Sequence, residues 1–188
     1  MAELSTLFAK IHITKDNFDN FLESKPRTPK LDNNWLTWWN SRTMSGKFDL
    51  QKEDLHHYEC TNNKSIIQGW KNYLQSLTFS DYDPDNEIWH FGIILFSENY
   101  REMIPMLAFI KSVAEFKTES IEDFATVYSY LWGGDVSAYI NYENLVGIFD
   151  SKIQTTADIE PDNLKYADEY LAKKMEEFQS NGALDQCY

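Results

Sequence analysis

Cysteine is scarce in this 188-residue chain, which has only Cys60 and Cys187. The second is the penultimate residue, so no structural disulfide is expected and a reducing cytoplasm is the default compartment. Long apolar runs are also missing. The longest, FGIILF at 91–96 and MIPMLAFI at 103–110, fall far short of the roughly 20 residues a membrane span needs. The N-terminal MAELSTLFAKIHI has neither a basic region nor the apolar stretch of a secretion signal, so the chain reads as soluble, unexported and without a membrane partner. Bases are outnumbered 17 to 30, for a net charge of -13. That field repels nucleic-acid phosphates and anionic lipid alike, which excludes direct binding to either. Catalytic signatures are absent too: there is no G-x-S-x-G, and SGK at 45–47 lacks the glycine-rich loop of a phosphate-binding motif.

What is present is a core. Apolar residues make up 43% of the chain and aromatics 15%, enough for one globular domain over residues 1–188. Period-two alternation in TLFAKIHI predicts an N-terminal strand, and Phe18, Phe21 and Leu22 behind a Thr14 or Asp16 cap predict a short helix. Trp35, Trp38 and Trp39 at i, i+3, i+4 share one helical face, the spacing of a docked core helix. A helix is expected over KSIIQGWKNYLQSLTF, with Ile66, Ile67, Trp70, Tyr73, Leu74 and Leu77 as its stripe. IWHFGIILF reads as a strand buried on both faces. Ser97 is the candidate cap of the next helix, which Pro105 should kink or reopen. FATVYSYLW and DVSAYINYE, joined by Gly133-Gly134, predict a hairpin with a two-residue turn. LVGIFDS predicts a further strand, and Pro161 opens a last helix that Asn181-Gly182 ends. The fold class is α+β, a mainly antiparallel sheet with helices packed mostly on one face.

Candidate metal and nucleophile sites are incomplete. DYDPDNE at 81–87 sets Asp81, Asp83 and Asp85 at the first three ligand positions of a calcium loop, but Asn86 stands where that loop turns on glycine and Gly92 where it needs a bidentate glutamate. It reads instead as an acidic surface turn. His56, His57 and Cys60 lie close together, yet no second cluster exists to close a tetrahedral site. No metal, cofactor or catalytic residue is assigned, and an enzyme would need a convergent pocket with shifted pKa values.

The acidity is uneven. Residues 1–94 carry 13 acids against 10 bases, residues 95–188 carry 17 against 7, and no base falls between Thr118 and Ser151. Within that basic-free stretch Tyr128, Tyr130 and Trp132 alternate along one predicted strand, Tyr139 and Tyr142 follow on the return strand, and Asp135 and Glu143 lie among them. The ordinary alternative is that these rings simply pack a sheet. Otherwise they are aromatic anchors ringed by acids, the composition that suits docking of a basic protein.

With YLWGGDVSAYINYE and DYDPDNE, the chain resembles bacterial toxin-immunity proteins in size, acidity and these aromatic and acidic segments. The resemblance implies a cytoplasmic inhibitor that neutralises a cognate basic toxin, nuclease-like, by stoichiometric occlusion. The candidate partner-binding residues are then Tyr128, Tyr130, Trp132, Asp135, Tyr139, Tyr142, Glu143, Asp81, Asp83 and Asp85. A nucleic-acid mimic that blocks a DNA-binding protein, and an enzyme with an unrecognised site, are the alternatives.

Overall fold

The computed structural model describes residues 4–73 and 75–184; Leu74 and Cys187 lie outside them. Six strands, β1 (Ser5–His12), β2 (Thr78–Asp83), β3 (Ile88–Ser97), β4 (Phe124–Tyr128), β5 (Val136–Glu143) and β6 (Val146–Phe149), form one antiparallel sheet in the order β2-β3-β1-β4-β5-β6. Helices α1 (Lys15–Glu23), α2 (Asn33–Ser41), α3 (Asn63–Asn72) and α4 (Tyr100–Ser112) cover one face, and α5 (Pro161–Ser180) packs on the other. The chain is therefore α+β, with a thick helical layer and a thin one.

β1 lies inside the sheet, between β3 and β4, and is buried on both faces. Leu7, Ala9 and Ile11 enter the four-helix layer, whereas Phe8 points to α5. Its neighbour β3 does the same with Trp89, Phe91 and Ile93 on one side and Ile94 on the other. Gly92 lies opposite Phe79 of β2, and a Cβ there would sit 2.4 Å from the Phe79 ring and 2.8 Å from the Leu7 carbonyl. Only glycine lets that ring lie flat on the sheet.

The helices start where short polar side chains meet orphan amides. Thr14 accepts from the Asn17 amide at 3.3 Å, Asp32 from Trp35 at 2.9 Å and Asn62 from Ser65 at 3.0 Å. The α2 tryptophans are core. Trp38 stacks on Phe149 at 5.0 Å, and the Trp38 and Trp39 indoles donate to the carbonyls of Ser137 and Phe48. α4 is buried at every position from Met103 to Ile110, which makes it the centre of its layer. It is capped by Asn99 rather than Ser97, and Pro105 lies inside one continuous helix instead of reopening it.

Two expectations fail for local reasons. The helix over 64–79 stops at Asn72, and Thr78–Asp83 is an edge strand. The alternating acids of DYDPDNE are thus partly strand periodicity, which carries Asp81 and Asp83 to the same face. The β4–β5 connection is not a two-residue turn. β4 ends at Tyr128, and residues 129–135 form a loop in which Gly133 and Gly134 both adopt φ 91. The 154–156 segment draws that loop away, because Val136 donates to the Gln154 carbonyl, Thr156 donates to the Gly134 carbonyl, and Asp135 bridges Thr155. Tyr130 and Trp132 consequently lie on a loop, not on a strand face.

Candidate binding surface on the open face of the sheet

The α5 stripe of Leu164, Ala167, Tyr170, Leu171, Met175 and Phe178 packs on Phe8, Phe79, Ile94, Phe124 and Tyr128. At β5 and β6 that face runs on past the helix. Asn141 and Glu143 pair with Ile148 and Val146 across the two strands and point to the same side. Val146 is 54% exposed. Beside them lies a cleft of about 600 Å³, walled by the first turn of α5 through Glu160 and Asn163 and by the segment carrying Asp150, Lys152, Ile153 and Asp158. Arg42 holds this wall: it is buried, donates to the carbonyls of Val136 and Ile153, and has its pKa lowered by burial.

Five carboxylates line the cleft against one lysine, Lys152. Two of them already serve the fold. Asp158 accepts from the amides of Thr155 and Gln154 in its own turn, hydrogen bonds that hold its carboxyl below the usual range. Asp123 is fully buried: Oδ1 takes the His12 amide at 2.9 Å and the His12 ring at 2.6 Å, while Oδ2 holds the Lys117 ammonium at 2.8 Å as an ion pair without a directed hydrogen bond. The other three are Glu143, Asp150 and Glu160. Among the described residues Glu143 and Glu160 make no ion pair or side-chain hydrogen bond, and Asp150 accepts only from the Lys152 amide at 3.1 Å.

The rim is apolar and anchored. Ile121 projects fully into solvent from a loop fastened by the Lys117–Asp123 pair, by Lys10 to Glu122 at 3.1 Å and by the Thr118 amide to the His12 carbonyl at 2.9 Å. The β5–β6 turn holds Asn144 and Leu145 at φ 48 and φ 61, a left-handed conformation that is unfavourable for leucine. That turn presents Leu145 to solvent. On the β4–β5 loop Leu131 is 39% and Trp132 55% exposed.

The expected site residues separate into three groups. Trp132, Asp135, Glu143 and Asp85 are exposed, with Tyr130 half-buried. Tyr128, Tyr139 and Tyr142 are core: their hydroxyls bond Asp168 at 2.7 Å, the Asn163 amide at 2.9 Å and the Ile110 carbonyl at 3.0 Å. Asp81 and Asp83 are occupied by the fold. Asp81 ion-pairs with Lys174 at 2.7 Å and accepts from Tyr170 at 3.0 Å, and Asp83 caps the β2–β3 turn by accepting from Asn86 and Asp85. Glu160, Ile121 and Val146 were not anticipated as site residues. Their signal would have been the two-strand pairing that puts Val146 beside Glu143.

Other chemistry lacks its geometry. Among the described residues no three His, Cys, Asp or Glu side chains converge on a metal position. His12 is oriented by Asp123 as a general base would be, but no described hydroxyl or thiol bonds its ring. The Cys60 thiol donates to the Asn62 carbonyl, and burial raises its pKa, the opposite of an activated nucleophile. No described helix is long and apolar enough to cross a membrane. Comparison with family models, curated proteins and solved structures finds no match for this chain.

Proposed function

We propose that the chain is a cytoplasmic acidic binding protein of the immunity type, which neutralises a basic, nuclease-like toxin by covering its active cleft. The supporting observation is the open β5–β6 face. It combines three carboxylates that make no ion pair among the described residues, Glu143, Asp150 and Glu160, with exposed Ile121 in the same cleft and exposed Leu145 and Val146 at the neighbouring β5–β6 turn. The carboxylates of the cleft steer a cationic partner and pair with its lysines and arginines, while the apolar groups at the rim add contact area. Trp132, beside Asp135 at the next loop, is the candidate aromatic anchor. Tyr128, Tyr139 and Tyr142 act in this reading only by building the sheet beneath.

The test is capture with three baits: the wild type, Glu143→Lys/Glu160→Lys and Trp132→Ala. The wild type should retain a basic protein whose association slows as salt rises, because a Debye length is only about 8 Å at physiological ionic strength. The charge-reversed bait should lose it at low salt, and the Trp132 variant should dissociate at least about tenfold faster. Equal retention by all three baits, or an acidic prey, overturns the reading. Prey that binds DNA and is released by competing duplex would point to nucleic-acid mimicry instead.

A further inference from the structure

On the four-helix side a second cavity, of about 500 Å³, lies between the 27–32 segment, the end of α4 and β6. Its charge runs against that of the chain. Arg27, Lys30 and Lys111 line it against Asp32 and Glu115, in a protein of net charge -13. Arg27 is paired with Glu115, and Asp32 caps α2. Lys111 is the unusual member. Its ammonium sits 4.1 Å from the Phe149 ring centroid and 5.3 Å from that of Trp35. Its single hydrogen bond goes to a neutral acceptor, Asn34 Oδ1, at 2.5 Å.

The fold is arranged around that amine. Asn34 cannot turn, because its Oδ1 also accepts from the Phe149 amide at 3.0 Å and its Nδ2 donates to the Phe149 carbonyl at 3.2 Å. Gly147 lets the lysine stem lie against β6, since a Cβ there would meet Lys111 Cα and Cγ at 3.1 Å. The last turn of α4 favours a cation, and the two rings present their negative faces to it. Burial works the other way and is the larger influence: it lowers the amine to about 8 although Asp32, across the cavity and too far to form an ion pair, favours the charge. A largely buried cation with two of its three donors unused and no carboxylate partner among the described residues is poorly compensated. The rest of the lining is mainly apolar, with Pro29, Trp35, Ala108, Leu145 and Val146, and its two hydroxyls are engaged, Thr28 with His57 and Ser112 with the Phe109 carbonyl.

We propose that this cavity binds a small organic carboxylate, whose anionic end takes the free donors of Lys111 and whose apolar body lies against Trp35 and Ala108. The site opens on the helix side of β6, shares only the edge residues Leu145 and Val146 with the surroundings of the acidic face, and requires no toxin. An anion completes the ammonium's hydrogen bonds and offsets its buried charge, which a neutral ligand of the same shape cannot do. Steric fit is set by the cavity, so the ligand class is an aromatic or branched carboxylic acid rather than a polyanion.

The experiment uses the full chain with phenylacetate and its neutral counterpart phenylacetamide, followed by calorimetry and by tryptophan fluorescence. Phenylacetate should bind at least tenfold tighter than phenylacetamide at pH 7. The preference should fall as pH rises through about 8, because deprotonation removes the charge that attracts the anion. Lys111→Met should abolish the preference while retaining the wild-type circular dichroism spectrum, and Lys111→Arg should keep part of it. Equal binding of acid and amide, no binding of either at 10 mM (roughly the weakest affinity such a small ligand would show), or an unchanged preference in Lys111→Met overturns the assignment. A failed capture experiment leaves this result untouched, so the two proposals fail separately.

Discussion

His90 should make the stability of this protein fall in mild acid. The ring lies in β3 beneath α5, 5% exposed, stacked on Tyr170 at 4.2 Å and sharing a 2.7 Å hydrogen bond through Nε2 with the Tyr166 hydroxyl. Burial is the largest influence on it and opposes protonation. Asp81 and Asp83 favour the imidazolium, Lys10 and His12 disfavour it, and the result is a pKa lowered to about 4. Unfolding returns the ring to about 6.5. The folded state therefore binds its proton later, and the contribution is fully present above pH 6.5 and is lost as pH falls toward 4.

A shift of this size amounts to about 3 kcal/mol once pH is below 4, and about 2 kcal/mol by pH 5. The window from pH 7 to 5 is useful because ordinary carboxylates hardly titrate in it. Urea unfolding of the wild type and of His90→Phe, at pH 7, 6 and 5, gives the comparison. Phenylalanine keeps a ring between Tyr170 and Phe8 but cannot take a proton, so the wild type should lose about 2 kcal/mol more than the variant across that window. His12, His56 and His57 are common to both proteins and cancel in the difference. Parallel stability curves would refute the argument, since they would mean that the imidazolium is tolerated beneath α5.

Trp38→Ala should cost about 3 to 5 kcal/mol in denaturant unfolding, because it empties a fully buried site stacked on Phe149. Gly92→Ala should cost about 1 to 3 kcal/mol by overpacking the Phe79 ring and the Leu7 carbonyl, a loss that Gly92→Ala/Phe79→Leu should partly restore. Asp81→Asn should cost about 1 kcal/mol, read by thermal unfolding, since Asp81 joins β2 to Lys174 and Tyr170 of α5. It should also let the Tyr170 phenol titrate lower, because that group is held up first by burial and then by Asp81.

Much of this fold was legible wherever one periodicity acted alone. The α2 tryptophans, the β3 run and the α5 stripe each carry a single repeat over their whole length, and each became the expected element. Legibility failed where neighbours decided. TFSDYD carries only Phe79 and Tyr82 as apolar residues, three apart and on opposite faces of the edge strand, and from sequence alone that resembles the frayed end of α3. Gly133-Gly134 carries a hairpin signal, but the 154–156 segment, twenty residues downstream in the chain, pairs with the loop and overrides it. The aromatic residues of β4 and β5 were equally ambiguous. Their alternation is the same whether a ring meets a helix or a partner, so only the placement of α5 and α4 assigns Tyr128 and Tyr139 to one face and Tyr142 to the other.

The candidate surface follows from the unequal helix layers. A helix is about 10 Å across and strands are spaced by about 4.8 Å, so one helix shields two or three strands and cannot cover six. Four helices close one face of this sheet; on the other, α5 leaves β5 and β6 open. Solubility asks only for polar residues there, and Asn141 and Glu143 meet that demand. It does not ask for Val146 and Ile121 to be exposed beside them, nor for Leu145 to occupy a left-handed turn position where glycine would be unstrained. It also does not explain why, among the described residues, Glu143 and Glu160 stay without side-chain partners when Asp81, Asp123 and Asp158 have them. Apolar exposure, local strain and unpaired charge coincide on the face that no helix covers, and the proposed cationic partner would use the first and the last.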